Sequence, residues 1–130
     1  MRPASNLPTD AELEILTILW ARGPSTVREV HDELSKGKAI GYTSVLKVMQ
    51  IMHEKGYVAR NTSARSHVYH AIVGRERTQT ALVDHLLERA FGGSASQLVQ
   101  RALSGRRASP EEIAQIRALL DELPDAGGDT

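Results

Sequence analysis

The sequence predicts a mainly α-helical fold with a small β-hairpin: a winged helix-turn-helix followed by a C-terminal helical dimerisation region. Three observations carry this. Three amphipathic helical stripes follow one another between Thr9 and Gly56. The hydrophobic period then switches to two, over two short β-branched and aromatic segments separated by a small polar tip. Past Gly74 the spacing is helical again, in three further segments. Helix, helix, helix, hairpin is the chain order of a winged helix-turn-helix.

Thr9-x-x-Glu12 is a capping box with a proline just upstream, and it opens the first helix. Leu13, Leu16, Leu19 and Trp20 share one stripe, and Gly23-Pro24 ends it. Ser25 or Thr26 caps the second helix, and Thr26-x-x-Glu29 is again a capping box. Its inner face is Val27, Val30 and Leu34; Arg28, His31 and Asp32 point outward; Lys36-Gly37-Lys38 breaks it. "IGYTSVLKVMQIMHEKGY", residues 40–57, is a turn and a third helix, capped by Thr43 or Ser44 and closed by Gly56. Val45, Val48, Met49 and Met52 form its buried stripe. At about 100° per residue, Thr43, Lys47, Gln50 and Glu54 fall on the opposite side.

The hairpin is Tyr57 to Arg60 and His67 to Ile72, joined through residues 61–66. Beyond it, residues 78–91 carry Leu82, Leu86, Leu87 and Phe91 up to Gly92-Gly93. Ser94-x-x-Gln97 caps a short helix with Leu98, Val99 and Leu103. Ser109-Pro110 opens a last one with Ile113, Ile116, Leu120 and Leu123 before Pro124. These stripes exceed what so small a segment can cover by itself. Leu82, Leu86, Leu98, Ile113, Ile116 and Leu120 are therefore expected to pair with a second copy, making a homodimer. The domain expectation is a DNA-binding domain over 1–73, a dimerisation domain over 74–124 and a disordered tail over 125–130.

Composition narrows the function. The 130 residues are 41% hydrophobic and 25% charged, an ordinary globular balance. With no cysteine, disulfides, thiolate catalysis and cysteine-based metal sites are excluded. The N-terminus lacks the apolar core of a signal peptide, and no apolar run approaches a membrane span, so a cytoplasmic protein without membrane insertion is expected. Net charge is zero, yet residues 35–72 hold six basic side chains against one acidic. A neutral chain with one basic segment fits a local footprint on a polyanion.

Thr, Lys and Gln on the outer face of the third helix have the hydrogen-bonding reach that base edges and phosphates require. In this fold that helix enters the major groove of double-stranded DNA. Thr43 and Ser44 are placed for a phosphate or a base, Lys47 for guanine or phosphate, and Gln50 for adenine. Tyr42 flanks the backbone, and Leu46, off the buried stripe, is placed for a thymine methyl. Arg60 and Arg65 on the wing are placed for phosphate or the minor groove. No cofactor or metal is expected. His67 and His70 on a strand point to opposite faces, a poor geometry for one metal, and no nucleophile–base pair or phosphate loop supports an enzyme.

"AELEILTILWARGPSTVREVHDEL", "YTSVLKVMQIMHEKGYV" and "SPEEIAQIRALLDEL" together resemble the BlaI/MecI penicillinase-repressor family, which also includes the copper-responsive CopY repressors. The resemblance runs from about Leu7 to Leu123 and is strongest over residues 11–57, with Trp20 and the Thr-Val-Arg-Glu-Val run. It implies a homodimeric winged-helix repressor of an inverted-repeat operator, dimerised through its C-terminal helices. Many such proteins have Arg or Lys at the position of Leu46 and Arg at that of Ile51; here both are apolar, which shifts readout onto Lys47 and Gln50. The cysteine pairs of the copper-sensing branch are absent. In the penicillinase branch, induction in response to β-lactam is by cleavage, through a membrane sensor protease, in the helix corresponding to Ser96–Leu103. The scissile pair would fall at Arg101-Ala102, where the usual Asn-Phe is missing. The alternative is release by a small-molecule inducer or a partner protein, since a pocket for a ligand needs no motif.

Overall fold

The computed structural model describes residues 7–63, 65–104 and 108–124, so the expected tail over 125–130 lies outside the described residues. Both N-terminal capping boxes form. Thr9 accepts from the Glu12 amide at 3.2 Å while the Glu12 carboxylate accepts from the Thr9 amide at 2.9 Å, starting α1 (Asp10–Arg22). Thr26 and Glu29 do the same for α2 (Val27–Ser35). α3 (Tyr42–Lys55) follows, then β2 (Val58–Asn61) and β3 (Val68–Ala71), with a short β1 (Ser25–Thr26) ahead of α2. α4 (Arg75–Ala90), α5 (Ala95–Leu103) and α6 (Pro110–Glu122) complete the order. This is the predicted winged helix-turn-helix, mostly helical and followed by helices.

Several details differ from the sequence expectation. The wing is a three-stranded antiparallel sheet, ordered β1-β3-β2, rather than a bare hairpin. Ser25 pairs with Tyr69 and Thr26 with Val68, so the residues that lead into α2 also cover the free edge of β3. α3 begins one residue before the expected cap. Gly41, in extended geometry, is its N-cap and makes no side-chain cap bond; Thr43 and Ser44 lie inside the first turn. On α1, Ile15 takes the buried position beside Leu16 and Leu19, while Leu13 and Trp20 are half-buried. His31 does not point outward: it is half-buried, and its Nε2 donates to the Ile40 carbonyl at 2.8 Å across the turn between α2 and α3.

The core packs Ile15, Leu16 and Leu19 of α1 against Val27, Val30 and Leu34 of α2 and Val45, Met49 and Met52 of α3, closed below by Tyr57, Val58 and Tyr69. Each such aliphatic side chain stabilises by roughly 1.5–3 kcal/mol relative to exposure. α3 ends where Gly56 turns left-handed (φ 84°, ψ 15°), a conformation that glycine adopts without a side-chain clash. A charged tie joins the two ends of this core. Glu12, 3% exposed, accepts from Lys55 Nζ at 2.8 Å, and that bond holds the Lys55 pKa above 10.5. Burial raises Tyr57 above 10.0. On the other side, Trp20 Nε1 donates to the Val73 carbonyl at 2.9 Å, just ahead of α4, and the Arg75 guanidinium lies 5.9 Å from the Trp20 ring centre.

The chain divides into two compact units between Asp84 and His85, within α4. In the second unit, Ser94 caps α5 by accepting from the Gln97 amide, and Ser109 caps α6 by accepting from Glu112, with Pro110 at its first turn. Among the described residues from 85 onward none is buried. Leu98, Ile113 and Ile116 are half-buried, while Leu86, Val99, Leu119, Leu120 and Leu123 are exposed. Among the described residues no helix is long and apolar enough to cross a membrane.

Candidate nucleic-acid interface

The amphipathic phase of α3 sets the site. With Val45, Met49 and Met52 buried, Thr43, Ser44, Lys47 and Gln50 are turned to the surface. Leu46 sits between the two faces, half-buried and packed against the core. The wing then places its own side chains beside the helix. Arg60 pairs across β3 with Tyr69, and Asn61 opens the tip by accepting from the Ser63 amide at 2.9 Å.

Between the start of α2, the outer face of α3 and the wing lies an open groove of about 500 Å³. It brings together five of the residues singled out from sequence: Tyr42, Leu46, Gln50, Arg60 and Arg65. Thr43, Ser44 and Lys47 are exposed on α3 but do not line it. Six lining residues had not been assigned to the site: Thr26, Val27, Arg28, Ser66, His67 and Tyr69. Arg28 carried a signal that could have found it. It is the second residue of α2, where the helix dipole disfavours a cation by roughly 0.3–1 kcal/mol. Its guanidinium carbon lies 5.1 Å from the Tyr42 ring centre, and the His31 ring meets the same tyrosine edge-on at 6.0 Å and 68°.

Ion pairing sorts the basic segment into two groups. Lys36 pairs with Glu33 at 3.0 Å, Lys38 with Glu14 at 2.7 Å and Lys55 with Glu12 at 2.8 Å. Three of the six basic side chains of this segment are therefore taken up by acids of the chain itself. Among the described residues Lys47, Arg60, Arg65 and Arg28 make no ion pair. Cations held around a groove without acids to satisfy them suit a polyanion. Among the described residues no group of three or more His, Asp or Glu side chains could hold a metal ion. The cleavage candidates Arg101 and Ala102 are exposed in the last turn of α5, whose end is closed by the Ser104 amide on the Gln100 carbonyl.

Known proteins align with this chain over nearly its full described length. It is 31% identical to the transcriptional regulator BlaI of Mycobacterium tuberculosis (strain H37Rv) over 121 residues, 92% of this chain and 86% of that protein. The penicillinase repressor of Bacillus licheniformis is 25% identical, covering 88% of this chain and 89% of its own. The methicillin resistance regulatory protein MecI of Staphylococcus aureus (strain N315) is 18% identical, with 88% and 93% covered. The penicillinase repressor family model matches residues 8–122, winged helix and C-terminal helices alike. The chain belongs to the penicillinase repressor family.

Proposed function

We propose that this protein is a cytoplasmic transcriptional repressor that binds double-stranded DNA as a homodimer on an inverted-repeat operator. It is a regulator and not an enzyme, as its family membership implies. The observation that carries the reading is the groove bordered by Arg28, Arg60 and Arg65, none of them ion-paired among the described residues, next to the exposed Lys47. Residues 1–73 are the DNA-binding domain in this reading, and 74–124 the dimerisation region. Lys47 and Gln50 read bases, Leu46 meets a thymine methyl, and Thr43, Ser44, Arg60 and Arg65 hold the backbone. The unburied apolar side chains at Leu86 and Leu120, with Leu82, Leu98, Ile113 and Ile116, supply the dimer contact. Selection of bound duplexes from random DNA tests it. An enriched inverted repeat supports the reading; a pool with no enrichment and no salt-dependent binding removes it.

Two routes of release are compatible with this function. A membrane sensor protease would cut at Arg101-Ala102 in response to β-lactam, separating α6 from the rest of the dimer contact. The second route is an inducer or partner protein that acts without cleavage. Arg101 and Ala102 in place of the family's usual Asn-Phe pair weigh against the first. A blot of tagged protein in cells challenged with a β-lactam separates them: a shortened band accompanies derepression by the first route and is absent by the second.

A further inference from the structure

We infer that Arg28, on the second helix rather than the recognition helix, is a DNA-backbone contact that takes phosphate oxygens, with Tyr42 and His31 as the residues that position it. The inference deepens the DNA-binding reading and rests on it.

Arg28 is placed against two local preferences. It is a cation in the first turn of α2, where the helix dipole favours an anion. Its natural partner one turn on, Asp32, does not hold it: among the described residues Arg28 makes no ion pair, and the Asp32 carboxylate lies 3.6 Å from His31 Nδ1 instead. What holds the guanidinium is the face of Tyr42 at 5.1 Å. The tyrosine is in turn braced by the His31 edge at 6.0 Å, and His31 is fixed by its 2.8 Å bond to the Ile40 carbonyl, with Ser35 Oγ 3.2 Å away. Three side chains thus form a column running from the turn between α2 and α3 to the groove.

The ring contact holds the guanidinium while, among the described residues, no acceptor takes its N–H donors. That is the presentation a phosphate takes in bidentate fashion. Arg28 borders the groove with Gln50, Arg60 and Arg65, so the backbone is met from α2 as well as from the wing. A group aimed in advance loses little freedom on binding, which is why Tyr42 acts through Arg28.

The test is fluorescence anisotropy of the full-length protein on its selected operator and on an unrelated duplex, across a salt series. Arg28→Gln is expected to weaken both duplexes by the same factor and to lower the salt slope by about one unit. Arg28→Lys keeps the slope but loses part of the affinity, because an ammonium is a point charge and cannot take a phosphate in bidentate fashion. Tyr42→Leu weakens binding severalfold, and Tyr42→Phe, which keeps the ring, restores most of it. Thermal melting of each variant within about 2 °C of the parent shows that the fold is intact, a shift well under that of 1 kcal/mol. An unchanged slope and affinity for Arg28→Gln, while Lys47→Ala loses operator binding, overturns this inference alone. Absence of salt-dependent binding by the parent protein overturns the DNA-binding reading itself.

Discussion

Removing the Glu12 carboxylate should loosen the winged domain at two places at once. Glu12 is 3% exposed and serves two donors, the Thr9 amide at 2.9 Å and Lys55 Nζ at 2.8 Å. Glu12→Ala deletes half of a capping box, about 1 kcal/mol. It also deletes a charge-assisted bond, about 1.5–3 kcal/mol. The lower end applies to the second, because the Lys55 side chain is 33% exposed and can recover water when its partner is gone. The sum is roughly 2–3 kcal/mol, which for a domain of this size lowers Tm by about 10–20 °C. Glu12→Gln keeps an oxygen for the Thr9 amide but loses the charge, so it should fall between Ala and the parent. Differential scanning calorimetry on the three proteins, with Lys55→Met to complete a double-mutant cycle, measures both parts. A Glu12→Ala shift below about 4 °C, or a cycle with no coupling, would refute the idea that this tie joins the start of α1 to the end of α3.

The same tie has an alkaline limit. The raised Lys55 pKa means that its stabilisation is fully present below pH 10.5 and is lost as pH climbs through the folded value; the raised Tyr57 pKa acts in the same direction from pH 10.0. Melting temperature should therefore fall as pH rises above about 10.5, and fall less in Lys55→Met, which has no charge left to lose. On the DNA face, Lys47→Ala and Gln50→Ala should each cost about 1–3 kcal/mol on the operator and relax preference at particular base pairs. Arg60→Ala and Arg65→Ala should weaken all DNA alike, each lowering the salt slope by about one unit; an unaltered preference in Gln50→Ala would remove it from direct readout. Leu120→Glu alters a side chain 61% exposed within one protomer, so folding should survive. Two copies meet at a symmetric contact, and losing two leucine burials at about 1.5–3 kcal/mol each should weaken dimerisation at least about 100-fold by sedimentation. A dimer of undiminished affinity would place the contact elsewhere.

The parts of this protein legible in its sequence are those written within a few residues. Thr9 with Glu12, and Thr26 with Glu29, announce helix starts because donor and acceptor lie three positions apart. The stripe of Val45, Met49 and Met52 states which face of α3 is buried, and so leaves Thr43, Lys47 and Gln50 at the surface. The apolar surplus after Gly74 was equally local. Tertiary structure decided what depends on partners far along the chain. Ser25 becomes a strand residue only because Tyr69, 44 positions later, offers an edge. Lys38 and Lys55 read as footprint charges until Glu14 and Glu12, 24 and 43 positions earlier, are seen to take them. His31 turns inward because the chain brings the Ile40 carbonyl back to it. Arg28 joins the groove because Tyr42, from another helix, catches its guanidinium. Hydrophobic period and capping act over one or two helical turns, whereas charge pairing and stacking act between whichever side chains the fold brings within a few ångströms.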